Sequence, residues 1–140
     1  MTHSNKTAPQ KAKHAIIAGG GIGGLTAALC LTHVGWDVTV LEKAPGLGDV
    51  GAGIQISPNA MKVFEALSLD RALADGGFRP EAIELRMGQS GFPLIRTPLG
   101  AVAEARYGSP YLHIHRAHLI FALKTALESH AHGTVRLGAA

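Results

Sequence analysis

Residues 16–29 read IIAGGGIGGLTAAL, with five glycines inside six positions. Glycine is costly in a regular element, so the cluster marks a place where the chain turns sharply or something approaches its backbone. Gly19-x-Gly21-x-x-Gly24 has the spacing of a dinucleotide-binding turn. The first glycine permits the tight turn out of a strand, the second lets a diphosphate reach the backbone, and the third lets helix and strand pack closely. Ile22 and Gly23 lie between them, where a helix would open with unpaired N–H groups and the positive end of its dipole toward the phosphates. Glu42 follows eighteen residues after Gly24, with Lys43 beside it. A carboxylate there can accept hydrogen bonds from an adenosine ribose and would repel a 2′-phosphate, which disfavours a bound NADP. The plainer alternative is a tight turn followed by a surface charge.

The elements that must position these residues can be read on either side. His14–Ala18 is a short β-branched strand, Leu25–Val34 has helical apolar spacing with Gly35 as its stop, and Trp36–Leu41 alternates around Val38 and Val40. Strand, helix and strand within some thirty residues make a βαβ unit, and hence a buried parallel sheet. Residues 44–55 (APGLGDVGAGIQ) read as a loop. A helix then starts with Ser57 as N-cap and Pro58 in the first turn, and residues 69–75 form a short second helix. Residues 81–87 and 92–97, joined by GQSG, predict an antiparallel hairpin. A strand at 111–115, a helix over 117–129 and the beginning of a strand at 134–137 complete the chain, and that last strand suggests that the sequence continues.

Bulk properties exclude several classes. The chain has 140 residues, 46% hydrophobic and 16% charged, which suits a globular domain with a real core. Its net charge of +3 comes from Lys6, Lys11 and Lys13; without them ten basic residues face ten acidic ones. The positive balance therefore reads as a solvated, disordered tail over residues 1–13, with no nucleic-acid partner. The single cysteine, Cys30, excludes an internal disulfide and fits a reducing, cytoplasmic setting; its apolar helical context predicts a small buried side chain. Residues 14–36 carry no Asp, Glu, Lys or Arg, but the glycines break them into strand, turn and helix, so no membrane span is expected. His113, His115 and His118 fall close together without a carboxylate or cysteine to complete a site, so no metal is expected.

Three segments, GGGIGGLTAALCLTHVGWDVTVLEKAP, GAGIQISPNAMKVFEALSL and IHRAHLIFAL, stand in an order and spacing that resembles the FAD-dependent aromatic hydroxylases, the group that includes salicylate hydroxylase and 6-hydroxynicotinate 3-monooxygenase. The resemblance implies a Rossmann-like FAD-binding βαβ with a parallel sheet and an antiparallel hairpin insertion. It makes residues 14–140 the N-terminal, incomplete part of an FAD-binding domain in a larger two-domain fold. The ADP half of FAD would lie on Gly19, Gly21, Ile22, Gly23, Gly24, Glu42 and Lys43. The stretch Ala52, Gly53, Ile54 and Gln55 would pass near the flavin, and Arg116 would contact the cofactor. Some relatives have a histidine proposed as a base at the position of Gln55, and glutamine cannot exchange protons near neutral pH.

The implied reaction uses a nicotinamide, NADH or NADPH, to reduce the flavin, and O₂ to hydroxylate a small aromatic acid. No catalytic residue, substrate identity or oligomeric state can be read from these segments, and this stretch by itself is expected to be inactive. The alternatives are an FAD-dependent oxidase or reductase of the same fold, and a non-catalytic dinucleotide-binding module. An NAD-dependent dehydrogenase fits less well, because residues 51–69 and 114–123 would have no task in it.

Overall fold

The computed structural model describes residues 13–47 and 51–139, so most of the lysine tail, residues 1–12, lies outside the described residues. In chain order the elements are β1 (His14–Ala18), α1 (Ile22–His33), β2 (Asp37–Glu42), β3 (Gly53–Ile56), α2 (Pro58–Ala66), α3 (Asp70–Gly76), β4 (Gly77–Phe78), β5 (Ala82–Arg86), β6 (Pro93–Pro98), α4 (Gly100–Tyr107), β7 (Leu112–His115), α5 (Arg116–Ser129) and β8 (Gly133–Leu137). They build three sheets: a parallel sheet ordered β1-β2-β8, an antiparallel sheet ordered β3-β7-β4, and the separate hairpin β5-β6.

One apolar core joins the first two sheets. Leu25, Ala28 and Leu29 of α1 and Leu119, Leu123 and Leu127 of α5 pack over Val38 and Val40 of β2, all fully buried or nearly so. Leu112 and Ile114 of β7 continue the core toward Met61, Phe64 and Leu73 of α2 and α3. β7 runs directly into α5, so a single segment ties the antiparallel sheet to the helical layer over the parallel one.

Several expectations need correction. α1 begins at Ile22, three residues earlier than its apolar pattern suggested, because Gly23 and Gly24 are absorbed into its first turn. The end of the expected loop 44–55 is strand: Gly53, Ile54 and Gln55 belong to β3, which gains its ladder from β7, a partner about sixty residues away. Cys30 is exposed, since the buried stripe of α1 runs through Leu25, Ala28, Leu29 and Thr32 on the other side. Ser57 stands at the N-cap of α2, but its hydroxyl donates to Asn59 Oδ1 at 2.5 Å instead of capping the helix. Lys13, counted with the tail, is tied to β2: its carbonyl accepts from the Asp37 N–H at 2.9 Å, and its ammonium stands 5.2 Å from the Trp36 ring centre. α4 had no forecast, because its face is short and only Ala103 is buried.

Leu123 is completely buried where α5 meets α1. Leu123→Ala removes packing that neighbouring side chains cannot refill, and should lower stability by about 2–5 kcal/mol in urea denaturation.

Candidate functional site

The turn after β1 is built by backbone geometry. Gly19 has φ +105°, a value that side-chain-bearing residues rarely adopt, and its N–H donates to Leu41 O at 2.7 Å. A Cβ on Gly24 would lie 2.0 Å from Gly19 O, so only glycine lets α1 pack this close to the turn. Beside Gly21 there is open space. Gly21 is also the N-cap of α1; no side chain caps this helix end, and its first turn holds no acidic residue. The opening N–H groups, around Ile22 and Gly23, thus have no intrahelical acceptor.

Glu42 ends β2 directly against this turn. Its Oε2 accepts the Gly20 N–H at 2.6 Å and its Oε1 the Ala44 N–H at 2.9 Å. These amide bonds, first that from Ala44 and then that from Gly20, hold the carboxyl below the usual carboxylate range, and the charge of adjacent Lys43 adds to them against a desolvation that acts the other way. One amide of the glycine turn is therefore already engaged by the acidic residue, while the side facing Gly21 stays open.

Arg116 arrives from the other sheet. Its N–H donates to Ala52 O at 3.2 Å as β7 passes into α5, and a Cβ on Gly51 would sit 2.9 Å from Arg116 Cβ. Gly51 thus lets the chain before β3 lie against the arginine. Gly20, Gly21, Glu42 and Arg116 line one crevice of about 180 Å³, closed by Leu47 and Ile120. Lys43 is exposed and outside it, and Gly53, Ile54 and Gln55 lie along β3, where Gln55 accepts a hydrogen bond from the Tyr111 hydroxyl at 2.8 Å. The structure brings together the first motif and the arginine, and leaves the β3 residues farther along the same strand pair.

Five wall residues, Gly20, Ala44, Gly46, Leu47 and Ile120, were not singled out in the sequence. Gly20 carried a usable signal: a Cβ there would meet Leu47 Cδ2 at 2.9 Å and Glu42 Cβ at 3.1 Å, so the additional glycine between Gly19 and Gly21 is where the acidic side chain lies flat on the turn. Leu47 carried none. The histidines have local tasks: His115 Nδ1 accepts from the Ala117 N–H at 3.3 Å as the cap of α5, and its ring lies 5.9 Å from that of His118. Among the described residues no group of three or more His, Cys, Asp or Glu is arranged to hold a metal ion. No helix among them is long and apolar enough to cross a membrane.

The arrangement suits an anionic, sugar-bearing ligand. There is open space beside Gly21 and the uncapped start of α1, Arg116 lines the same crevice, and each Glu42 oxygen keeps a further lone pair. Because the folded Glu42 carboxyl titrates lower than in an unfolded chain, its contribution is present above the ordinary carboxylate pKa and is lost as pH falls through the lowered value. Glu42→Gln should therefore flatten the decline of the urea midpoint on acidification from pH 5, with the remaining decline carried by carboxylates such as Glu84, lowered by Arg86 and Arg96.

Comparison with known proteins bears on this crevice. The family model described as FAD binding domain matches residues 12–135. Among curated relatives, the 3-amino-4-hydroxybenzoate 2-monooxygenase of Streptomyces cremeus is 47% identical over 124 residues, which cover 89% of this chain and 31% of that protein. The 6-hydroxynicotinate 3-monooxygenase of Pseudomonas fluorescens is 39% identical over 100 residues, 71% of this chain and 26% of that protein. Among solved structures, Klebsiella pneumoniae HpxO complexed with FAD and uric acid is similar at a TM-score of 0.74 and 28% identity, over 90% of this chain and 31% of that one. The chain spans about a quarter to a third of the length of these curated relatives. The chain, matched by the family model over residues 12–135, belongs to the FAD-binding domain family, with FAD as its cofactor.

Proposed function

We propose that this chain holds the ADP half of FAD in a flavin-dependent monooxygenase that hydroxylates a small aromatic acid with NADH or NADPH and O₂. The observation that carries the reading is the crevice joining Gly20, Gly21, Glu42 and Arg116 in a chain matched over residues 12–135 by the FAD-binding family. Relatives named for hydroxybenzoate and hydroxynicotinate oxygenation support the substrate class.

In this reading the diphosphate lies beside Gly21 and the N–H groups of Ile22, Gly23 and Gly24, where the helix end favours negative charge. Gly19 shapes the turn, and Glu42 accepts the ribose hydroxyls while still bound to the Gly20 and Ala44 amides. The amide bonds from Ala44 and Gly20 favour the ionised Glu42, and the charge of Lys43 outside the crevice adds to them. Arg116 offers a fork of donors that stays charged at any working pH. Ala52, Gly53, Ile54 and Gln55 carry the chain toward the flavin, small side chains leaving backbone groups within reach. Bound FAD supplies the redox and oxygen chemistry; these residues bind and orient it. Gln55 can donate or accept a hydrogen bond and cannot act as a base, so any proton transfer belongs to other groups.

We assign the protein to the cytoplasm, which the single exposed Cys30 without a disulfide partner suits. Residues 14–140 are assigned to the N-terminal part of the FAD-binding domain.

The test is made on the full-length protein. It should purify yellow with about one FAD per protomer, and Glu42→Ala should weaken FAD retention at least tenfold in apoprotein titration, the scale of losing a charge-assisted contact. Screened against hydroxybenzoates and related heteroaromatic acids, NADH or NADPH oxidation should yield a hydroxylated product. Oxidation that ends only in peroxide would assign it to the oxidases or reductases, and colourless protein that takes up no flavin would remove the reading.

A further inference from the structure

The sheet β3-β7-β4 has two unlike faces. Ile54 and Ile56 of β3 and Leu112 and Ile114 of β7 turn one face into the core. The other face carries Gln55 of β3, Phe78 of β4 and His113 of β7, with Tyr111 just before β7 on the same side. Gln55 and Phe78 both stand opposite His113 in the register. The Gln55 side chain is exposed, and its Oε1 accepts the Tyr111 hydroxyl at 2.8 Å. Its Nε2 has no hydrogen bond among the described residues.

Tyr111 is itself held on every side. Gly108, at φ +77°, ends α4 and turns the chain toward it. Ser109 is 1% exposed and donates its hydroxyl to Glu65 Oε2 at 2.8 Å, which ties the segment before β7 to α2. On the other flank Leu112 is buried in the core. The tyrosine ring stands edge-on to His113, 5.8 Å between centres, and Phe78 stands edge-on to His113 at 5.5 Å. A long polar side chain on an exposed strand gives up rotamer freedom only where a partner holds it. Here the fixed hydroxyl takes the carboxamide oxygen, so the NH₂ is the end left to donate.

We infer that Tyr111 is a positioning residue for the flavin end of the cofactor, holding Gln55 by its oxygen so that the Gln55 NH₂ is presented as a hydrogen-bond donor to the flavin ring. The inference rests on the proposed course of β3 beside the flavin and adds the residue that orients the amide. Hydrogen bonds to the ring are one means by which a protein tunes a flavin, and a donor favours the electron-rich, reduced form. The bond between Ser109 and Glu65 anchors the hydroxyl from α2, a helix with no other part in the site.

The test measures the two-electron midpoint potential of the full-length protein with its FAD. Tyr111→Phe removes the hydroxyl and keeps the ring. It should retain flavin content and shift the equilibrium about tenfold toward the oxidised form, a fall of about 30 mV. Gln55→Leu should lower the potential at least as far, and adding Tyr111→Phe to it should change nothing more, because the tyrosine acts through the amide. A second readout needs no flavin: in ¹⁵N-labelled apoprotein the Gln55 NH₂ resonances should move on Tyr111→Phe toward those of a freely rotating amide. An unchanged potential in Tyr111→Phe beside a lowered one in Gln55→Leu would overturn the inference and leave the course of β3 standing. Unchanged potentials in both would overturn that course and the inference with it. Unmoved Gln55 resonances, or a Tyr111→Phe effect that persists undiminished beside Gln55→Leu, would also sink the positioning role.

Discussion

The Glu42 carboxylate is the junction on which the candidate site depends. It takes one amide from the glycine turn and one from the segment after β2, so the two loops at the end of the parallel sheet are held at a fixed separation. The chain after β8 joins the same place: the Ala139 N–H donates to Glu42 O and the Gly138 N–H to Ala44 O, each at 2.9 Å. Ligands of open α/β sheets bind outside the carboxyl ends of the strands, and this junction is such an end. The ionised carboxylate satisfies the Gly20 and Ala44 amides and keeps spare lone pairs on both oxygens.

The second sheet matters for what it delivers. β7 pairs with β3 on one edge and β4 on the other, and its last residue passes straight into α5. That continuity sets Arg116 at the rim, with its backbone bonded to Ala52 and its stem against Gly51. A cation at the first position of a helix is disfavoured by the helix dipole, which an anion held in the crevice, as proposed, would offset. Two pieces of chain some ninety residues apart thereby meet across one small volume.

The hairpin β5-β6 and helix α4 have a different character. The hairpin keeps most of its apolar residues exposed, among them Leu85, Leu94 and Ile95, and its charges answer one another, Glu84 facing Arg96 across the strands and Arg86 along its own. α4 contributes only Ala103 to the interior and turns Val102, Arg106 and Tyr107 outward, which is why a cavity forms between it and α2.

The βαβ unit was legible in the residues because its determinants are local: a β-branched strand, glycines at required spacings, and an apolar helical stripe ended by Gly35. The same holds for α2, α5 and the hairpin, where period and turn residues coincide, and for the pairing of the glycine motif with Glu42, a matter of spacing along one short stretch. Tertiary structure decided what no local signal carries. β3 is a strand because β7 lies beside it, Cys30 is exposed because the buried stripe of α1 faces away from it, and Gly20 lies close under the side chains of Leu47 and Glu42. Arg116 reaches the crevice only through the β7–α5 passage, and the Tyr111 hydroxyl meets Gln55 only once β7 is paired with β3. Local propensity is written over a few neighbouring residues, whereas these features are distances between segments set by the packing of one shared core.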